Sequence, residues 1–259
     1  MPGTTITNVF LVVSIVGSCL TVLRLFWSRL TKRYRAFTVL FSFRGIDLLY
    51  PLFIDFRSSL YAYLWAITEP VFRILYILVV LELYRLILEQ YKGLYSFGRW
   101  VLYGSSALAA IISILTLLPH ITPAMPQPTR YLGYVYAFDR GVDLSLVIII
   151  LVLLVFLSQF PVKLSRNVLV HASLYSLYFL SSSIYGLLWK MLGLKAQTDV
   201  SLIFQGISAA CTMGWLFLLT AEGEKVPAAV HLRFSAEYEQ RALGKLDALN
   251  QTLLKISKS

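Results

Sequence analysis

Seven ionisable side chains lie inside stretches apolar enough to sit in a membrane: Arg44, Asp47, Glu69, Arg73, Asp139, Arg140 and Asp143. A charge in hydrocarbon is costly even on lenient insertion scales, so such residues turn to a protein interior, find opposite charges and mark pathways or binding sites. Glu69 and Arg73 are four apart with the acid first, the favoured order for an ion pair on one helix. Arg44 and Asp47 are three apart, as are Arg140 and Asp143, so each helix is expected to carry its own neutralising partner. Four acids against three arginines leave about one negative charge, which a proton, a cation or an amine would seek. These seven residues form the predicted ligand- or ion-binding centre. The opposing reading is a closed set of salt bridges that only locks the helices, but buried ion pairs add little over apolar packing. Pro70, directly after Glu69, removes a backbone hydrogen bond and is the predicted hinge.

The elements that must position these groups follow from composition. At 58% hydrophobic and 14% charged, with a mean hydropathy of +0.73, the chain of 259 residues is too apolar for a soluble domain. Its solvent is the lipid bilayer. A helix of about 20 apolar residues crosses a ~30 Å hydrocarbon core. Seven such runs are predicted, at Val9–Trp27, Phe37–Ile54, Tyr61–Leu88, Trp100–Leu118, Tyr134–Leu157, Val168–Trp189 and Val200–Ala221. The fold class is therefore an all-α polytopic membrane protein with seven transmembrane helices over residues 1–223. At ~1.5 Å of rise per residue, the seven charges share a slab around the middle and outer half of the membrane.

Lysine and arginine set the orientation. One group of connections, with the tail, holds Arg24, Arg29, Lys32, Arg33, Arg35, Arg85, Lys92, Arg99, Lys163 and Arg166, then Lys225, Arg233, Arg241, Lys245, Lys255 and Lys258. The other holds Arg57, Arg130, Lys190 and Lys195, so sixteen cations face four. The N-terminus is expected outside and the C-terminus in the cytoplasm. The net charge of +10 thus reflects topology, and no nucleic-acid partner is expected. Glu82, Arg85 and Lys190 stand near span ends and read as snorkelling anchors, while His171 reads as a packing residue. The first run, with no basic residue before it, is expected to be a retained span. The connection from Pro119 to Pro128 holds four prolines and is expected to form a stiff, extended cover.

Arg44-Gly45-Ile46-Asp47-Leu48 recurs as Arg140-Gly141-Val142-Asp143-Leu144, in the middle members of two successive helix triplets. Units of three helices would run oppositely through the membrane, a plan common in transporters. Other chemistries lack their residues. The last span has no lysine for a Schiff base, and His171 is the one intramembrane histidine, too few for a zinc hydrolase or paired haem ligands. Cys19 and Cys211 form no CxxC motif, and no P-loop, HExxH, GxSxG or dinucleotide fingerprint occurs. No enzyme activity, cofactor or metal is expected.

Residues 224–259 form a predicted cytoplasmic tail with a short amphipathic helix, in which Leu246 and Leu253 stand seven apart among charges. Residues 228–259 would pair with a second copy, lie on the inner leaflet or dock on a cytoplasmic protein. The leading expectation is a receptor-like or sensor protein of a bacterial inner membrane, binding a small polar or cationic ligand among the buried charges. A proton- or ion-coupled transporter or channel built on three plus three plus one helices comes second. A structural subunit of a membrane complex comes third.

Overall fold

The computed structural model describes residues 2–55, 58–88, 91, 94–96, 99–100, 103–104, 107–108, 111, 115, 129–159, 164–191, 194–225, 227–228, 240, 244–248 and 250–253. The described chain is nearly all helical. Its long elements are α1 (Pro2–Trp27), α2 (Arg35–Asp47), α3 (Ser59–Ile87), α4 (Thr129–Gln159), α5 (Arg166–Met191) and α6 (Leu194–Leu218). Three of them hold stretches long and apolar enough to cross a membrane, Ile6–Trp27, Ser59–Ile87 and Asp199–Leu218. In α4 an apolar stretch is described over Gly141–Leu153, and it carries Asp143 within it. In α5, serines, tyrosines and His171 dilute an otherwise sufficient length. The predicted fourth span falls largely, and the proline-rich connection wholly, outside the described residues.

The second predicted span needs correction. Its helix ends at Asp47, after 13 residues, and a short 3-10 turn at Tyr50–Leu52 follows. Pro51 explains the stop: its ring would strike the carbonyl four residues back, which belongs to Asp47, and it offers no N–H to continue the ladder. At ~1.5 Å per residue α2 is ~20 Å long, short of a full crossing by itself.

Each described helix packs on the next in chain order, and α6 returns to α1, so the six close into a ring. α1 shows how the ring faces its surroundings. Val9, Val12, Val16, Leu20 and Leu23 are exposed at helical spacing, while Ser14, Ser18 and Thr21 are buried on the opposite face. Small residues there let backbones approach, as in membrane helix pairs. A methyl added to Gly17 would stand 2.9 Å from Thr212 Cγ2 of α6 and closer still to the Met213 tip. The ring's interior is aromatic, with Phe37, Phe41, Tyr175, Phe179 and Trp215 almost fully buried.

The helix ends that carry the basic residues are tied into one face. Glu82 Oε2 of α3 accepts from the Ala36 N–H at 2.6 Å, capping the first turn of α2. Glu82 therefore points inward rather than snorkelling, whereas Arg85 is exposed as an anchor should be. Arg33 Nε pairs with Glu224 Oε2 at 2.7 Å, and Tyr34 donates to Glu224 Oε1. Burial, then the bond to Glu224, pushes the Tyr34 hydroxyl far above its ordinary range, so it remains a donor. A two-residue strand pairing, Leu164–Ser165 with Pro227–Ala228, adds the α4–α5 link to the same face. Leu246 of the tail is fully buried, and Asp247 lies close enough to Tyr91 to raise its hydroxyl, after the larger effect of burial. The tail helix is thus docked on its own chain.

Asn167 is the polar pin between α5 and the segment after α6. It is fully buried, donates to the Thr220 carbonyl at 2.7 Å and accepts from the Thr220 N–H at 3.3 Å. Gly223 packs so tightly on it that an added methyl would meet Asn167 Oδ1 at 2.2 Å. Asn167→Ala orphans both Thr220 groups and is expected to cost on the order of 2 kcal/mol. In a detergent melt this appears as a Tm lowered by ~4–8 °C; a change within 1 °C would show that the pin contributes nothing.

Candidate functional site

The site is built on α3. Arg73 is 9% exposed and meets three carboxylates. Its Nη1 donates to Asp143 Oδ1 at 2.9 Å, and its Nη2 donates to Glu69 Oε1, one turn back on the same helix. Its Nε stands 3.1 Å from Asp139 Oδ1, within ion-pair range though not aligned as a hydrogen bond. Asp139 and Asp143 lie four apart on α4, so both face α3, and both are buried. Ser182 of α5 donates to the second oxygen of Asp143 at 3.2 Å. Below the guanidinium, the Tyr76 ring lies 5.6 Å from Arg73 Cζ, and the Tyr76 hydroxyl is 2.8 Å from that of Tyr178.

Among the described side chains, one guanidinium therefore faces three carboxylates in a buried interior. If all were ionised, the cluster would carry an excess of two negative charges. Like charges at such separations in low dielectric repel one another, and Arg73 offsets part of that repulsion. Among the described residues no three His, Cys, Asp or Glu side chains converge to hold a metal ion. The carboxylate oxygens turn to Arg73 instead.

Four of the seven predicted residues, Glu69, Arg73, Asp139 and Asp143, meet here. The Arg140 side chain lies outside the described ones. Arg44 and Asp47 do not form the pair their spacing suggests. Arg44 Nη2 donates to Ser208 of α6 at 2.7 Å, and its guanidinium lies 5.9 Å from both the Phe41 and Tyr178 rings. The reason is directional: helical side chains lean toward the N-terminus, so Arg44 reaches back over Phe41, away from Asp47. Asp47 instead neighbours Thr68 and Tyr50, with Glu69 close by on α3, and its Oδ1 has no hydrogen-bond partner. Pro70 lies within α3, which continues unbroken to Ile87.

Sequence reasoning missed Tyr76, Tyr178, Ser182, Ser208 and Thr68. A usable signal existed on α5, where His171, Tyr175, Tyr178 and Ser182 recur at intervals of four, three and four residues, one polar stripe on one helix face. No family model, no curated protein and no solved structure matches the chain.

Charge geometry predicts a contrast in double-mutant cycles. Arg73→Met alone leaves uncompensated buried acids and is expected to destabilise by ~3–5 kcal/mol. Arg73 and Asp143 should couple by ~0.5–3 kcal/mol, whereas Arg44 and Asp47 should add independently, within ~0.5 kcal/mol. Unfolding free energies of the four single and two double variants decide it; equal coupling in both cycles would contradict the geometry.

Proposed function

We propose that the chain is a multi-pass membrane sensor whose ligand is a proton, taken up among Glu69, Asp139 and Asp143 beside Arg73. The single observation that carries this reading is the excess of carboxylates over guanidinium in the buried cluster. The two best-formed clefts lie elsewhere, toward the basic end, which favours an occupant that needs little room over a bulky amine.

The seven-crossing topology is part of the proposal. α3 ends and α5 begins at the basic end, and the short link from Gln159 to Arg166 brings the end of α4 there too. α4 then begins at the opposite end, so the chain between Ile87 and Thr129 has to pass from one end to the other, which supports one further crossing. With sixteen cations at or beyond the basic end, that end is assigned to the cytoplasm of a bacterial inner membrane and the N-terminus to the outside. Residues 1–223 would be the membrane domain and 224–259 the segment that meets a cytoplasmic partner or a second copy. Buried Leu246 limits the tail's free surface to its polar face, where Lys245 and Asp247 are exposed.

Coupling is supported by α3 itself. Glu82, which caps α2 at the basic end, lies on the same rigid helix as Arg73, nine residues on. A second reading, proton- or cation-coupled transport, is favoured by Asp47, which offers another acid beside Glu69 and would make a second station. On the sensor reading, lowering pH on the protein in vesicles changes amide-exchange protection at residues 219–225, and Asp139→Asn with Asp143→Asn abolishes the response. An unaltered protein with no such response defeats it. Gradient-driven flux lost in Asp47→Asn and in Asp143→Asn would establish transport instead.

A further inference from the structure

A second constellation lies between the cluster and the basic end. Tyr34, Phe37, Val79, Glu82, His171 and Tyr175 line a cleft with room for a single water-sized guest. Three polar atoms around it have no hydrogen-bond partner: Glu82 Oε1, His171 Nε2 and the Tyr175 hydroxyl. His171 is 3% exposed and Tyr175 is 1% exposed, so neither atom turns to bulk solvent. Three orphaned polar groups around one cavity are what a buried bridging water requires, since such waters make two to four bonds to groups otherwise unsatisfied.

The placement of this cavity gives it a direction. His171 and Tyr175 begin the polar stripe of α5 that continues through Tyr178 to Ser182, which is bonded to Asp143. Those 11 residues of helix span ~16 Å. Tyr178 shares its hydroxyl contact with Tyr76, whose ring lies under Arg73. At the other end, Glu82 caps α2 within the face where basic residues gather, with exposed Arg85 one turn on. The charged and titratable groups around the cavity are Tyr34, with Arg33 and Glu224 behind it, then Arg85 on α3 and Arg44 on α2. Apart from these the walls are aromatic and aliphatic.

We propose that the Glu82–His171–Tyr175 cavity is the proton port of the Arg73 cluster, holding one water through which protons pass between the basic end and Asp143 along the hydroxyl stripe of α5. The proposal rests on the reading of the cluster as a protonatable site. A proton arriving at the basic end forms an O–H bond on Glu82. That bond breaks as the water, held by His171 Nε2, accepts the proton, and the water releases another of its protons to the Tyr175 oxygen. Among the described residues no hydrogen bond joins Tyr175 to Tyr178 or Tyr178 to Ser182, so the proposed relay includes a further water across each gap; each group accepts one proton and gives up one, until a new O–H bond forms on Asp143. Every relay group returns to its starting state, the cluster gains one positive charge, and no oxidant or reductant takes part.

The test uses the full chain in lipid nanodiscs. A rapid drop in pH is followed by the infrared carboxyl C=O band, assigned to the cluster by its loss in Asp139→Asn and Asp143→Asn. Glu82→Gln keeps an acceptor for the Ala36 N–H, and Tyr175→Phe removes only a hydroxyl, so both preserve the packing around the cavity. The port predicts that in each the band appears roughly tenfold more slowly or worse, with its final amplitude unchanged. A band that appears at the unaltered rate in both variants overturns the port while leaving the cluster's protonation standing. Absence of any carboxyl band in the unaltered protein overturns both.

Discussion

Arg73 cannot leave water alone. Stripping an ion of its hydration costs several kcal/mol even after relaxation, and the loss is recovered only if opposite charges and hydrogen bonds replace the solvent. Here the replacements come from one turn back on α3 and from two turns of α4, with α5 steadying Asp143 through Ser182. Three helices are therefore held in one register by a single guanidinium. Among the described side chains the same arrangement brings more carboxylates than guanidinium groups together.

The basic end is constructed differently. Its ties are hydrogen bonds between helix termini and connecting segments: Glu82 to Ala36, Asn167 to Thr220, and Tyr34 with Arg33 to Glu224. Orphan groups at helix ends need partners, and each tie supplies one or more. The consequence is that α3 joins the two regions rigidly. Arg73 and Glu82 are nine residues apart, ~14 Å along one helix axis. Pro70 lies on the far side of Arg73 from Glu82, which leaves this stretch of helix with its full hydrogen-bond ladder.

Much of this was written into residue types and spacing. The apolar runs mark a helical chain with stretches long enough to cross a membrane, and the order of Glu69 and Arg73 marks the predicted intrahelical pair that forms among the described side chains, because an acid preceding a base by four suits the lean of helical side chains. The same rule, applied strictly, warns against Arg44 with Asp47, where the base comes first. What spacing could not supply is which helix lies opposite. Asp143 finds Arg73 across an interface, and Arg44 finds Ser208, through contacts decided by packing between helices distant in sequence. The early stop of α2 was legible in Pro51, but the apolar residues beyond it disguised the break as a continuing span. Glu82 misled for the opposite reason: a charged residue near a helix end ordinarily snorkels, unless a neighbouring helix presents bare N–H groups there.

The repeated pattern of Arg, Gly, an aliphatic residue, Asp and Leu acquires a meaning that its sequence alone lacked. α3 packs against both α2 and α4, and the acid of each copy addresses it, Asp47 beside Thr68 and Asp143 on Arg73. The two acids thus occupy corresponding positions in unlike surroundings. Asp143 is compensated by a guanidinium and a serine, whereas Asp47 has hydroxyl neighbours and one oxygen without a partner. Glu69 stands between them, bonded to Arg73 on one side and within the electrostatic reach of Asp47 on the other. The charge of Glu69 therefore acts on Asp47 through a medium that is low in dielectric and screens little. The duplicated motif thus sets both of its acids against α3, with Glu69 between them.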